Sequence, residues 1–350
     1  MNARTISATA SDTSNRFFFA LAFATIVPLA LLPFYRFYQS SGVATTFISA
    51  VWLVTAYGHV MSTVWFGFDT DYRPIIRQNR FRMLGSLGII SVVLAIFALS
   101  SRELSCWLFA GFLCWQAHHY NRQNFGIISF AAARDKFGIL PKDVLWIIKL
   151  TTVAGAIAMV SMPFIYPGGR VDLPLFSISI LYYGRIASMI LMTVAALLFV
   201  RLVVANERLR RSPTTLLFLG LTTVFFLPSL IAGSDKVSFW PYAIAHGAQY
   251  LVMMSVTSGR SAHGSKGVVA CTAIVVLLGI VAVSMSDVPW AQAYTGIIVW
   301  HFLADARLWR LRDPLVRTVV RNRFDFIFSP AQPVRSDHSG LQPVPVPLAA

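Results

Sequence analysis

Five of the seven histidines in this chain, His59, His118, His119, His246 and His301, fall inside long apolar segments. Imidazole is costly in such surroundings, and an intramembrane ionisable group calls for a functional explanation. Neutral imidazole ligates iron, copper and zinc alike. Each ring has polar neighbours three or four residues away, the spacing that shares a helix face. His301 has Asp305, His119 has Gln123, His118 has Arg122, His246 has Gln249 and Tyr250, and His59 has Ser62 and Thr63. A ligating histidine usually gives its second ring N–H to a carboxylate, carbonyl or water. Asp305 is the candidate for that duty, or for a coordination position of its own. The stretch CWQAHHYNRQNFGIISF, residues 114–130, reads as a polar stripe facing a protein-lined cavity.

The elements that must position these rings are membrane helices. The chain has 350 residues, 56% hydrophobic and 12% charged, with mean hydropathy +0.65. A soluble domain carries about 25% charged residues. Against a requirement of roughly 20 apolar residues per span, about ten segments qualify: 17–37, 42–67, 83–101, 105–132, 143–165, 173–200, 214–233, 239–257, 267–286 and 289–306. Arginine and lysine crowd every second loop, as at Arg73, Arg77, Arg80 and Arg82, or Arg208, Arg210 and Arg211. That alternation obeys the positive-inside rule. It predicts an all-α polytopic bundle with both termini cytoplasmic, in a bacterial inner membrane. The first apolar run is too long for a secretory signal core and is expected to stay as a helix.

The histidines occupy the second, fourth, eighth and tenth spans, which all run from outside to inside. His59 lies ten residues before Asp69, His119 fifteen before Arg134, His246 fourteen before Arg260 and His301 nine before Arg310. At about 1.5 Å per residue these are depths of roughly 14–22 Å. Four separate helices therefore bring imidazole to one level of the bilayer, where a shared site becomes possible.

Other chemistries lack support. The net charge of +15, from 29 basic and 14 acidic residues, is the cytoplasmic excess of a membrane protein, and no nucleic-acid motif accompanies it. Cys106, Cys114 and Cys271 show neither CxxC nor paired spacing. There is no HExxH, P-loop or GxSxG. The shortage of carboxylates argues against a glutamate-rich di-iron bundle.

The flanks differ from the bundle at 16–311. Residues 1–15, rich in Ser, Thr and Ala, are expected to be disordered. Residues 312–328 are expected to form a basic interfacial helix, capped by Asp313 and Pro314, with Leu315, Val316, Val319 and Val320 towards lipid. The Pro-rich tail 329–350 is expected to be disordered.

Histidines scattered singly over several membrane helices resemble the bacterial membrane β-carotene dioxygenases of the Brp/Blh type. That resemblance implies His59, His119, His246 and His301 as iron ligands and a lipid-soluble substrate. Membrane desaturases are a second comparison, but their HxxxH and HxxHH boxes are missing; His118 and His119 make only an HH pair. The expected function is a membrane-bound non-haem iron oxidoreductase, with iron, as a single ion or a di-iron pair, held by those four histidines. His118 would be a fifth ligand or proton shuttle. Arg122 and Gln123 would support the site or hold substrate, Arg122 by pairing with Asp305 or with an acidic headgroup. The partners would be the bilayer, a hydrophobic small molecule and an electron donor. Copper, zinc or haem ligation, and a transporter using the histidines as proton or ion sites, are the alternatives.

Overall fold

The computed structural model describes residues 3–31, 42–99, 101–161, 178–231, 239–284 and 288–328. Among them no strand occurs. The helices are α1 (Ala3–Ala30), α2 (Gly42–Ser62), α3 (Arg73–Leu99), α4 (Arg102–Arg134), α5 (Lys142–Val160) and α6 (Ile178–Ala205). They continue with the short α7 (Glu207–Arg210), α8 (Pro213–Val224), α9 (Leu227–Ile231), α10 (Trp240–Gly259), α11 (Ser265–Ser284), α12 (Val288–Leu308) and α13 (Pro314–Arg323). A 3₁₀ turn, Thr63–Gly67, extends α2.

Local chemistry sets several boundaries. Ser101 accepts a hydrogen bond from the Leu104 amide and starts α4. Asn206 does the same for α7 through Leu209. Pro213 and Pro314 occupy first-turn positions, where a missing N–H is harmless. Asp313 caps α13 through the Leu315 amide at 2.9 Å.

Five described helical stretches are long and apolar enough to cross a membrane: Ser11–Ala30, Arg73–Ile96, Lys142–Val160, Leu181–Ala205 and Pro213–Ile231. The protein is thus all-helical with the character of a membrane protein. Helix α4 is not in that set, although it runs for 33 residues. Its polar stripe lowers its hydropathy, so the helix that brings His119 to the site looks least like a span.

Among the described residues two clusters of buried side chains flank the site, and minor ones lie around Cys106 and Ala154. The larger joins α1, α4, α5, α8, α10, α12 and α13, with Phe17, Tyr72, Ile128, Phe218 and Phe324 at its centre. The smaller contains Leu113, Tyr120, Phe225, Phe226 and Tyr242. On α4 and α10 the histidines sit where one cluster gives way to the other.

Two expectations need revision. Residues 3–15 are the opening turns of α1 rather than a disordered lead, and an i,i+4 pair between Asp12 and Arg16 at 2.7 Å supports them. Helix α13 exists, but its inner face is not lipid-facing: Val316 and Val320 are wholly buried in the larger cluster, and Leu315 is exposed. The reason is Arg323. Its guanidinium is buried, bonds both carboxylate oxygens of Asp69 at 3.0 and 3.2 Å, touches Asp71, and reaches the Thr257 carbonyl at 3.3 Å. That pairing draws α13 onto the ends of α2 and α10. The expected tail, 329–350, lies outside the described residues.

Candidate metal centre

Each of four helices delivers one imidazole to a common point. On α2, His59 Nδ1 lies 2.6 Å from the Thr55 carbonyl oxygen, one turn back. A carbonyl only accepts, so Nδ1 carries the proton and Nε2 keeps its lone pair. On α10, His246 is followed by Gly247, and a Cβ there would stand 2.0 Å from that same Thr55 oxygen. Glycine thus lets the two backbones meet beside the rings. His119 comes from α4 and His301 from α12; His246 and His301 have no exposed surface.

The rings form a closed circuit. Centroids are 4.9 Å apart for His59 and His246, 5.0 Å for His246 and His119, 5.2 Å for His119 and His301, and 5.0 Å for His301 and His59. All four contacts are edge-to-face. Phe302 stacks on His119 at 4.1 Å, and Tyr120 lies against His246 at 4.2 Å.

Their nitrogens are unsatisfied. Ten buried side-chain polar atoms among the described residues lack a hydrogen-bond partner, and five are here: Nε2 of His59, His119 and His301, and both nitrogens of His246. An orphaned buried polar group costs about 1–3 kcal/mol. Five together rival the ~5–15 kcal/mol net stability of a typical fold. The donor set therefore fits a cation. His59, His246 and His301 offer ligand atoms within 4.8 Å of one another, and so do His119, His301 and Asp305. The two triads overlap at His301.

A further layer of contacts aims these groups. His301 Nδ1 lies 2.6 Å from the Thr63 hydroxyl. The Tyr250 hydroxyl donates to Asp305 Oδ1 at 2.7 Å and accepts from the Trp309 indole at 3.4 Å. Asp305 Oδ2 faces His301 Nε2 at 3.5 Å and His119 Nε2 at 4.0 Å. Gln123 donates to the His246 carbonyl at 3.0 Å and to Gln249 at 2.9 Å, tying α4 to α10. Gln249 continues to Thr25 on α1 at 2.8 Å.

One side of the centre opens into a cavity of about 290 Å³ between α4 and α12. His119 and Asp305 form part of its wall, whereas His59, His246 and His301 do not line it. Trp115, His118, Arg122, Gly126 and Phe130 also line it, successive steps of three or four along α4. Of the polar residues expected to form one stripe over 114–130, His118, His119, Arg122 and Gln123 line this cavity, whereas Asn121 turns to Thr151 and Thr152 on α5 and Gln116 to Tyr120.

His59, His119, His246, His301 and Asp305 thus come together. Gln123 stands behind them. His118 and Arg122 are exposed at the cavity wall and belong to neither triad. Sequence spacing put Thr63 beside His59, but the 3₁₀ turn carries it to His301 instead. Trp309 and Gly247 gave no signal: one is an interface-type aromatic, the other a single glycine in an apolar helix. Comparison with known proteins adds nothing to this geometry, since no protein-family profile, no curated protein and no solved structure matches the chain.

Proposed function

We propose that this chain is a polytopic membrane metalloenzyme, a non-haem iron oxidoreductase of the oxygenase kind acting on a hydrophobic or lipid-like substrate. It would cross the bilayer about ten times with both termini on the cytoplasmic side, as the alternating basic loops suggest. The observation that carries the reading is the meeting of four buried imidazoles, with five unpartnered nitrogens, beside a cavity.

The choice of iron rests on the triad beside the cavity. Two imidazoles and one carboxylate with open positions is the donor set of non-haem iron oxygenases. His119, His301 and Asp305 would hold that ion, while His59 and His246 complete the imidazole shell or hold a second ion through His301. Iron there would supply activation of oxygen for attack on an otherwise unreactive hydrocarbon.

The rest falls to the chain. Thr55 and Thr63 fix the rotation of His59 and His301. Tyr250 holds the Asp305 carboxylate by its Oδ1 and leaves Oδ2 turned to the histidines. Phe302, Trp115 and Met253 give the cavity apolar walls. Centroids about 5 Å apart favour a bare ion over haem, whose macrocycle would have to pass between the rings.

Elemental analysis of protein purified gently in non-ionic detergent tests this. One iron per chain is expected, with no Soret band, and two if both triads fill. His119→Ala and His301→Ala should each lose it. Metal-free protein that still turns over or transports would overturn the reading.

A further inference from the structure

The cavity is not uniformly apolar. Two arginines line it, Arg122 from α4 and Arg310 just beyond the end of α12. Both side chains are exposed, and neither has an ion pair or hydrogen bond with a described residue. Asp305 is the one carboxylate among the lining residues, and Tyr250 and the histidines engage it. Arg122 is the more telling. It sits on the same helix face as His119, twelve residues before Arg134 and so about 18 Å along the axis. An unpaired arginine is expensive against hydrocarbon. Its position on the wall turns it to the cavity, beside His118 and His119.

From this we infer that the substrate is a single-chain anionic amphiphile, a long-chain carboxylate, whose headgroup is held by Arg122 and Arg310 while its chain runs along the apolar wall towards His119 and Asp305. The inference deepens the metalloenzyme reading and rests on it for the word substrate; the binding itself does not need the metal. Guanidinium pairs with carboxylate through two parallel N–H donors, which fixes orientation as well as charge. Exposed His118, one turn before Arg122, adds a third polar group to the same wall. Trp115 and Phe302 offer flat apolar surface for the chain. A volume near 290 Å³ is at the small end for ligand pockets and suits one chain better than two.

Competition binding on the detergent-purified full chain tests this, with radiolabelled oleate as the probe and methyl oleate and dioleoyl phosphatidate as competitors. Unlabelled oleate should displace the probe at least tenfold better than methyl oleate, which has the same chain without the charge. Arg122→Gln and Arg310→Gln should each weaken oleate about tenfold and leave methyl oleate unchanged, with the metal content still at the wild-type level. Arg122→Lys should recover part of the loss. Equal displacement by oleate and methyl oleate in the wild-type protein overturns the proposal, and needs no variant to fold. So does stronger displacement by the two-chain phosphatidate, or wild-type oleate affinity in both glutamine variants. The metal reading fails separately, by metal analysis: wild-type protein without stoichiometric metal that still selects oleate sinks the enzyme and keeps the carboxylate site.

Discussion

Gly247 and Thr55 stand backbone to backbone: a methyl group on the glycine would lie 2.0 Å from the threonine carbonyl oxygen. The same oxygen receives the His59 ring proton. One contact therefore sets the approach of α2 to α10 and the orientation of a candidate ligand. Gly247→Ala must push the helices apart, since the obstructing atom is backbone and cannot swing away. Overpacking of this kind costs about 1–3 kcal/mol, sometimes more. The variant should melt well below the wild type and lose most of its metal. Gly111→Ala, on α4 with nothing within 4 Å of the added atom, should do neither.

Thr63 supports His301 from a different element. Thr63→Val keeps the shape and removes the hydroxyl 2.6 Å from Nδ1. Loss of such an outer partner typically lowers metal affinity 10–100-fold. Chelator competition should show a drop in that range for Thr63→Val and near-complete recovery in Thr63→Ser. Unchanged affinity in the valine variant would mean that the ring is held by packing alone.

Asp305 and Tyr250 should behave as a graded pair. Asp305→Asn removes the charge facing His119 and His301 and should abolish iron retention through purification. Tyr250→Phe removes only the hydrogen bond to Oδ1, so affinity should fall about tenfold, with the protein still loadable by excess iron. Equal losses in the two variants would place Asp305 outside the coordination shell.

Arg323 is buried against Asp69, which has no exposed surface. Removing one member of a buried pair usually costs about 3–5 kcal/mol, because the other charge is left stranded. Arg323→Met should destabilise the protein by that order in thermal melts. The double change Asp69→Asn with Arg323→Met should recover a large part. A strictly additive double variant would show that the two do not depend on one another.

The histidines were legible in the sequence as polar groups set inside apolar segments, each with polar neighbours one turn away. Their meeting was only partly legible: His119 and His301 lie 15 and 9 residues from their basic flanks, yet their ring centroids are 5.2 Å apart. The supports were not legible. Thr63 leaves the face of His59 through a local change from α to 3₁₀ winding, which no side-chain spacing announces. The tie between Arg323 and Asp69 spans 254 positions, so the amphipathic pattern of α13 read as a helix for lipid when its apolar face covers protein. Gly247 matters through what lies opposite it, and a single chain of letters does not show opposites.

The Tyr250 hydroxyl touches Asp305 and Trp309 at 2.7 and 3.4 Å and lies 3.4 Å from Thr63, the hydroxyl that braces His301. Both triads therefore hang from one phenol as well as from one shared imidazole. Neither can be retuned alone: an engineer who reshapes the carboxylate end to accept a different element will disturb the all-nitrogen end too. Any successful redesign will have to alter both together.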